Sequence, residues 1–492
     1  MLFNSLEFLL FLPLVFAAYW ILNLWTGTRA GLRAQNLLVL VASYVFYGWW
    51  DWRFLSLIAF STLVDFAVGL QIAKANAAEL APDAPEEARS PKAKRWLLVS
   101  LAVNLGLLGY FKYANFFIES WVDAWAAAGV TMHASTLQII LPVGISFYTF
   151  QTLSYSIDIY RRRLEPSKDF IAFAAFVSFF PQLVAGPIER ASALLPQIAK
   201  RRHFDYDLAV SGMRLILWGM FKKVVVADTC AIYVNDIFAN YEQYSGPTLM
   251  LGAIYFAFQI YGDFSGYSDI AIGTARLFGI RLMTNFRTPY FSRDIAEFWR
   301  RWHISLSTWF RDYLYIPLGG SRVGKWKAVR NTFIIFLVSG FWHGANWTFV
   351  AWGFIHACLF LPLLLLGRNR RNTGDIQGWP SWRELAGMVW TFAAVTVAWV
   401  FFRADSVEHA TNYLAGFTRM PSAEFPITQV SKTTIAWMVI ATGVDWLQKS
   451  GGAPAGLLAG RLRPVRWMVY GWVVWLCLKN LHNQADFIYF QF

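Results

Sequence analysis

The chain has 492 residues, of which 57% are hydrophobic, 18% aromatic and only 15% charged, with a formal net charge of +13. A soluble domain usually carries about 25% charged residues, and a soluble chain this apolar would expose large hydrophobic patches. The composition therefore predicts a protein of the lipid bilayer. The positive charge does not indicate nucleic-acid binding, because Lys and Arg form short clusters between apolar segments and no nucleic-acid-reading motif is present.

The chain is apolar almost from its start, with no Lys or Arg before Arg29. A secretory signal has a basic beginning and a cleavage site, so residues 3–25 are predicted to form an uncleaved transmembrane helix. Apolar segments recur to the end of the chain and, judged against the roughly 20 residues that a crossing helix needs, predict about eleven crossings. The segments, some short enough to be re-entrant or broken, are 3–25, 35–50, 53–73, 96–113, 136–160, 170–187, 208–229, 247–262, 265–280, 331–348, 350–366, 385–403, 432–447 and 466–481.

The predicted fold class is thus an all-α polytopic membrane protein that forms a single domain over residues 1–492. By the positive-inside rule the basic clusters lie in the cytoplasm and the N-terminus lies outside. Residues 74–95, rich in Ala, Pro and Glu, are predicted to form a cytoplasmic loop. Residues 291–317 are too charged to span and too aromatic for a free loop. Because they contain neither Gly nor Pro before Pro317, they are predicted to form one interfacial helix.

His343 is the strongest candidate for chemistry, since no Lys, Arg, Asp or Glu occurs between Asn331 and Gly367. Ionisable groups at membrane depth are costly and usually functional, and a neutral imidazole can accept and return a proton near working pH. If the helix continues, Asn346 and Trp347 share its face, where Asn346 orients the imidazole and Trp347 walls the pocket. The alternative is a histidine that only hydrogen-bonds a neighbouring helix.

His303 is the second candidate. On one helix it shares a face with Arg300, Ser307 and Arg311, and such a face suits a phosphorylated donor because Arg recognises phosphate oxygens. The alternative is an interfacial helix whose arginines pair with lipid headgroups. His356 lies about 220° from His343 around a continuous helix, so we interpret it as a packing residue.

Carboxylates give no metal-binding pattern in this sequence. Asp263 and Asp269 bracket Gly266, where a turn is predicted, and are expected to pair with arginines of residues 276–301. No zinc-protease, phosphate-loop or serine-hydrolase motif occurs, so a soluble-type hydrolase or an ATPase is not supported.

Four stretches resemble the membrane-bound O-acyltransferase family, and within it the bacterial alginate O-acetyltransferase branch. They are MLFNSLEFLLFLPLV at the N-terminus, LPVGISFYTFQTLSYSIDIYR at 141–161, FWRRWHISLSTWFRDYLYIPLGG at 298–320 and VSGFWHGANWTFVAWGFIHA at 338–357. The last two are specific, and neither departs from the family pattern at its histidine. The C-terminal FIYFQF is also similar.

The resemblance implies that His343 is the catalytic histidine and His303 its partner, in a catalytic core of about 136–366. It implies a ring of helices around a central funnel, with the donor entering from the cytoplasm and the acceptor from outside. The expected reaction moves an acetyl group from acetyl-CoA, a substrate rather than a permanently bound cofactor, for O-acetylation of an exopolysaccharide such as alginate. An SGNH-type periplasmic partner and the bacterial inner membrane are expected too.

Within that mechanism His343 acts as general base, while His303 polarises the thioester carbonyl or assists the departing thiolate. Gln151, Asp312 and Asn346 are supporting candidates, and no metal is expected. Three alternatives stay open. They are the related D-alanyl transfer protein of teichoic acid synthesis, a lipid- or protein-palmitoylating relative, and a transporter, since broken helices and buried histidines also occur in transporters.

Overall fold

The computed structural model describes residues 1–25, 29–81, 85, 88–132, 136–137, 139–184, 186–376, 378–449, 462–483, 485, 487 and 488. Over these residues the regular secondary structure is helical, with no strand. The chain divides into two compact units, the first formed by Met1–Gly212 with Thr274–Met283, the second by Met213–Gly273 with Thr284–Phe492.

The helices that begin in the first unit include Ile145–Tyr160, which is buried along most of its length. They are α1 (Leu6–Trp25), α2 (Arg29–Asp51), α3 (Leu55–Glu79), α4 (Pro91–Leu108), α5 (Ala114–Ala127), α6 (Ile145–Tyr160), α7 (Phe170–Val177), α8 (Phe180–Leu183), α9 (Ala191–Ile198) and α10 (Tyr206–Met220).

The second unit holds an aromatic core in which Trp302, Trp352 and Trp399 are fully buried. Its helices are α11 (Asp228–Ala239), α12 (Gly246–Leu277), α13 (Ile295–Arg301), α14 (Ile304–Phe310), α15 (Lys325–His343), α16 (Trp347–Leu365), α17 (Trp382–Arg403), α18 (Val407–Ala415), α19 (Lys432–Gln448) and α20 (Arg463–Asn480).

Among the described residues, five stretches are long and apolar enough to cross a membrane. They are Leu6–Asn23, Ala30–Glu79, Pro91–Ala127, Trp347–Leu365 and Trp382–Arg403, and the 50-residue second stretch combines α2 and α3. The prediction of an all-helical, multi-pass membrane protein is confirmed. The number of about eleven crossings stays a prediction.

Several predicted boundaries differ from the observed ones. The predicted turn at Gly266 is wrong, because α12 runs unbroken from Gly246 to Leu277. A side chain at Gly266 would meet the backbone of Gly219 and Lys223, so this glycine serves close helix packing instead of a turn. The connection predicted at 74–95 is shorter, since α3 extends to Glu79 and α4 begins at Pro91. Within it, residues 82–84 and 86–87 lie outside the described residues.

A buried polar network joins α3, α4 and α6 in the first unit. The Asp65 carboxylate accepts hydrogen bonds from Ser100 Oγ at 2.6 Å, Asn104 Nδ2 at 2.9 Å and Ser156 Oγ at 3.3 Å. Thr152 Oγ1 donates to Asn104 Oδ1 at 3.1 Å. Because each polar group is paired, the carboxylate ties three helices together and belongs to the packing of this unit.

In the second unit, α15 and α16 cross at a pair of glycines. A side chain at Gly340 would collide with the carbonyl oxygen of Phe349, and one at Gly353 with that of Phe336. With no side chain at either position the two backbones approach closely, as small residues allow in membrane helices. This crossing fixes the C-terminal end of α15, where His343 lies.

Gly340→Ala is therefore expected to lower the thermal stability of the detergent-solubilised protein, measured by intrinsic tryptophan fluorescence. The new methyl group collides with the backbone of the neighbouring helix, which cannot move as a side chain can. Overpacking of this kind lowers the free energy of unfolding by about 1–3 kcal/mol. Gly443→Ala on α19 is the matched control, because a side chain there meets no atom within 4 Å. Equal melting temperatures for the two variants would contradict the crossing described here.

Candidate active site

His343 is the last residue of α15 and is 4% exposed. Its ring lies among aromatic side chains from three helices, with ring centroids 4.9 Å from Trp342, 5.2 Å from Trp352 and 5.3 Å from Phe402. Gly344 follows in an extended conformation, so the helix ends here. The imidazole therefore lies at a helix end inside an apolar enclosure.

His303 is fully buried and separates α13 from α14. Its φ of 43° lies in the left-handed region, which non-glycine residues adopt at a cost and which is enriched at functional sites. The prediction of one helix over 291–317 is wrong, because the segment breaks into short helices at Trp302 and His303. The arginines and His303 consequently do not share one continuous helical face.

The two histidines lie together, with ring centroids 6.4 Å apart. Trp342 contacts both rings, at 6.0 Å from His303 and 4.9 Å from His343. At this separation one entering functional group can contact both imidazoles, as proton transfer requires. The structure thus brings together the two residues that the sequence singled out, although they are forty residues apart.

Asn285, which sequence reasoning missed, contacts His303 directly. Its Oδ1 lies 3.1 Å from His303 Nδ1, and its Nδ2 donates to Ser268 Oγ at 3.1 Å. Burial lowers the pKa of His303 to about 3, so its ring is neutral. No pattern in the sequence points to Asn285, because this residue lies in a loop outside both histidine-containing stretches.

The predicted donor-binding side chains have local partners. Arg300 donates to the carbonyl oxygens of Asn369 and Asn372, both at 2.9 Å. Arg311 pairs with Asp312 at 2.7 Å, and Ser307 donates to the Trp302 carbonyl at 3.4 Å. Their role in binding a donor stays a prediction.

Asn346 and Trp347 do not continue the helical face of His343, so that prediction is wrong. Asn346 is instead the N-cap of α16, where its Oδ1 accepts from the Thr348 amide at 2.9 Å. Its Nδ2 donates to the Asp405 carbonyl at 3.0 Å. Trp347 is 58% exposed at the first position of α16. Asn is a preferred N-cap residue, which agrees with the start of a new helix at Trp347.

Gln151 belongs to the first unit, on α6. Its Nε2 donates to the Phe176 carbonyl at 2.7 Å and ties α6 to the end of α7. Its supporting role in the reaction stays a prediction.

His356 packs among aromatic rings, as predicted. Its ring centroid lies 4.7 Å from that of Trp352 and 5.0 Å from that of Trp299. Within the described part of the chain neither ring nitrogen has a hydrogen-bond partner. Trp352 contacts both His343 and His356. His356 therefore packs against an indole that forms part of the aromatic enclosure around His343.

A buried ion network joins the π-helical segment Phe221–Ala227 to the start of α11 and to α12. Lys223 Nζ lies 2.8 Å from Asp228 and 2.7 Å from Asp263, and Lys222 Nζ lies 2.7 Å from Asp269. Asp263 therefore pairs with Lys223 rather than with an arginine of 276–301, and Asp269 pairs with Lys222. The sequence feature that could have indicated this network is the pair Lys222 and Lys223, because two lysines are unusual inside an apolar segment.

This network also anchors the end of the chain. Lys223 Nζ donates to the Ala485 carbonyl at 3.0 Å, and Asp263 accepts from the Ile488 amide at 2.7 Å. Phe487 packs 4.1 Å from Tyr267, and Phe264, next to Asp263, lies 4.6 Å from His303 by ring centroids. The C-terminal segment therefore reaches the same helix that contacts the second histidine.

Comparison with known proteins is consistent with this arrangement. Residues 161–402 match the model of the MBOAT, membrane-bound O-acyltransferase family. The chain is 40% identical to the probable alginate O-acetylase AlgI of Pseudomonas putida, over 90% of this chain and 86% of the relative. It is 35% identical to the peptidoglycan O-acetyltransferase of Helicobacter pylori, over 85% and 79% of the two chains.

A more distant relative is the teichoic acid D-alanyltransferase of Streptococcus thermophilus, which is 29% identical over 53% of this chain and 68% of its own length. Both histidines fall inside the matched residues 161–402. The similarity over most of the length of O-acetylating relatives, together with the matched family model, shows that this chain is an O-acyltransferase of the membrane-bound O-acyltransferase family.

Proposed function

We propose that the enzyme moves an acetyl group from acetyl-CoA for O-acetylation of an exopolysaccharide such as alginate. The observation that carries the proposal is the buried pair His303 and His343, with ring centroids 6.4 Å apart, in a chain related to named O-acetylating proteins. The donor enters from the cytoplasm and the acceptor from the outer side of the bacterial inner membrane. A ring of about eleven crossing helices around a funnel would provide both routes.

In the proposed reaction His343 takes the proton from an acceptor hydroxyl, and the hydroxyl oxygen attacks the thioester carbonyl carbon. The C–S bond then breaks, the electron pair leaves with sulfur, and the proton returns from His343 to the thiolate. The reaction consumes no net proton. An aromatic enclosure excludes water, which strengthens polar interactions and limits hydrolysis of the thioester.

Arg300 and Arg311 remain the proposed contacts for the phosphates of the donor, since guanidinium groups bind phosphate oxygens bidentately. Arg311 is the more available of the two, because its side chain is 57% exposed and pairs with a carboxylate on the same helical turn. The final acceptor is a polysaccharide, reached directly or through an SGNH-type periplasmic partner.

The test supplies membranes containing the enzyme with radiolabelled acetyl-CoA or with a D-alanyl carrier protein, and measures covalent label on the acceptor. Label from acetyl-CoA supports the proposal. Label only from the carrier protein would assign the chain to teichoic acid D-alanylation, the activity named for the relative that covers about half of this chain.

A transporter is the second class of function that the assay separates. It would move a substrate without forming any acylated product, so absence of covalent label from both donors, with the protein folded in the membrane, would contradict acyl transfer.

A further inference from the structure

His303 begins α14 without capping it, because its side chain makes no hydrogen bond to the first turn. The amides at the start of a helix have no partner within the helix and need one elsewhere. Asn285 provides the acceptors for two of these amides. Its carbonyl oxygen accepts from the Ile304 amide at 2.9 Å, and its Oδ1 accepts from the Ser305 amide at 3.3 Å. The loop residue thus caps the helix that His303 precedes.

These contacts determine which way the Asn285 amide points. A backbone N–H can only donate, so the atom facing the Ser305 amide must be the oxygen. Ser305 Oγ also donates to this oxygen at 2.9 Å, and the opposite Nδ2 donates to Ser268 Oγ at 3.1 Å. If the side-chain amide of Asn285 were flipped, its NH₂ group would face the Ser305 backbone N–H, and two donors would point at each other.

The oriented amide in turn determines the protonation of His303. Nδ1 lies 3.1 Å from Asn285 Oδ1, which can only accept. A proton on Nδ1 makes this contact a hydrogen bond, whereas its absence would place two lone pairs against each other. In a neutral ring the proton on Nδ1 leaves Nε2 with a lone pair, and among the described residues Nε2 has no partner.

The carboxylates on the neighbouring element α12 are paired with opposite charges. Asp263 and Asp269 of α12 pair with Lys223 and Lys222. On α15 the titratable neighbour is His343, with ring centroids 6.4 Å apart. The segment that contains Asn285 contributes the amide and the ring of Phe286, 6.4 Å from that of His303.

We propose that Asn285 is a positioning residue that holds His303 as the Nδ1–H tautomer, so that Nε2 accepts a hydrogen bond from an acceptor hydroxyl next to the one that reacts. This rests on the proposed function. Polarising the carbonyl and protonating the thiolate both need a donor at Nε2, and this tautomer has none. His303 therefore orients the acceptor through the neighbouring hydroxyl, and the reacting hydroxyl gives its one proton to His343.

Asn285→Asp tests the assignment, because a carboxylate accepts the same three hydrogen bonds but adds a negative charge. The charge favours the protonated form of His303 and raises its pKa from about 3. Below the raised pKa Nε2 carries a proton and no longer accepts. The kcat of the variant is expected to fall about tenfold for each pH unit below that pKa. At alkaline pH it stays near the wild-type value.

Asn235→Asp is the matched control, since it adds the same charge at an exposed position of the same unit and should keep the wild-type pH profile. If the kcat of Asn285→Asp is unchanged or rises toward acid pH, His303 acts as a donor and the inference is overturned. Loss of acetyl transfer in the wild type at every pH would instead contradict the proposed function, so the two failures are distinguishable.

Nitrogen NMR of the full-length protein with isotope-labelled histidine tests the tautomer without relying on a variant that folds. The His303 signal, identified by its loss in His303→Gln, is expected to show a protonated Nδ1 and an unprotonated Nε2. The opposite pattern would overturn the assignment.

Discussion

Replacing His343 with alanine is expected to abolish acyl transfer while the protein still accumulates in the membrane. General base catalysis contributes about 10²- to 10⁴-fold to a rate, and the loss should reach that range. The readout is covalent transfer of radiolabelled acetyl groups in membranes that contain equal amounts of enzyme. His343→Gln belongs beside it, because glutamine retains a polar side chain of similar volume but cannot take up the proton.

Stability must be separated from chemistry at this position. The His343 ring packs against Trp352 and Phe402, so alanine leaves a cavity that can cost stability. Glutamine fills most of that space, and loss of activity in both variants with a normal melting temperature for His343→Gln would assign the effect to chemistry. His203→Ala, at an exposed loop position, is the control expected to retain full activity. A His343→Ala enzyme that still transfers acyl groups would contradict the mechanism.

Lys223→Met is expected to cause the largest loss of stability in the second unit. The ammonium lies between Asp228 and Asp263, and the side chains of all three residues are at most 3% exposed. Removing the cation leaves two buried carboxylates without a counter-ion, and breaking a buried pair in this way costs about 3–5 kcal/mol. Thermal unfolding followed by tryptophan fluorescence measures the effect, with the exposed Lys327→Met as control.

The triple variant Lys223→Met, Asp228→Asn, Asp263→Asn should recover much of that loss, since no unpaired charge remains. Recovery distinguishes a charge effect from a general packing defect. If the triple variant is as unstable as Lys223→Met, the cost does not arise from unpaired carboxylates.

The features that could be predicted from the sequence are those that depend on the composition of a single segment. Apolar composition predicted the multi-pass helical class, because burial of so much apolar surface needs lipid. His343 stood out as an ionisable group in a long uncharged stretch, and His303 lay in a block resembling the same family. The apolar segment 170–187 is interrupted in the structure, where α7 ends at Val177 and α8 begins at Phe180.

The residue pattern of a segment did not predict the backbone conformation where that conformation depends on contacts with distant segments. The break at His303 is not visible in the sequence, because a left-handed residue there depends on Asn285 capping α14 from another loop. Gly266 has the composition of a turn, yet the close approach of Gly219 keeps it helical. Asn346 occupied a helical position by spacing but ends the pattern as a cap.

By itself, then, the sequence determined that this chain is a helical membrane protein and singled out two histidines as candidates for its chemistry, since hydrophobicity and unusual residues are properties of a segment. Only the tertiary structure decided how those histidines meet, which carboxylates pair with Lys222 and Lys223, and that Asn285 contacts His303. These features depend on hydrogen bonds and close packing between segments far apart in the chain, and such contacts leave no periodic trace in any one segment.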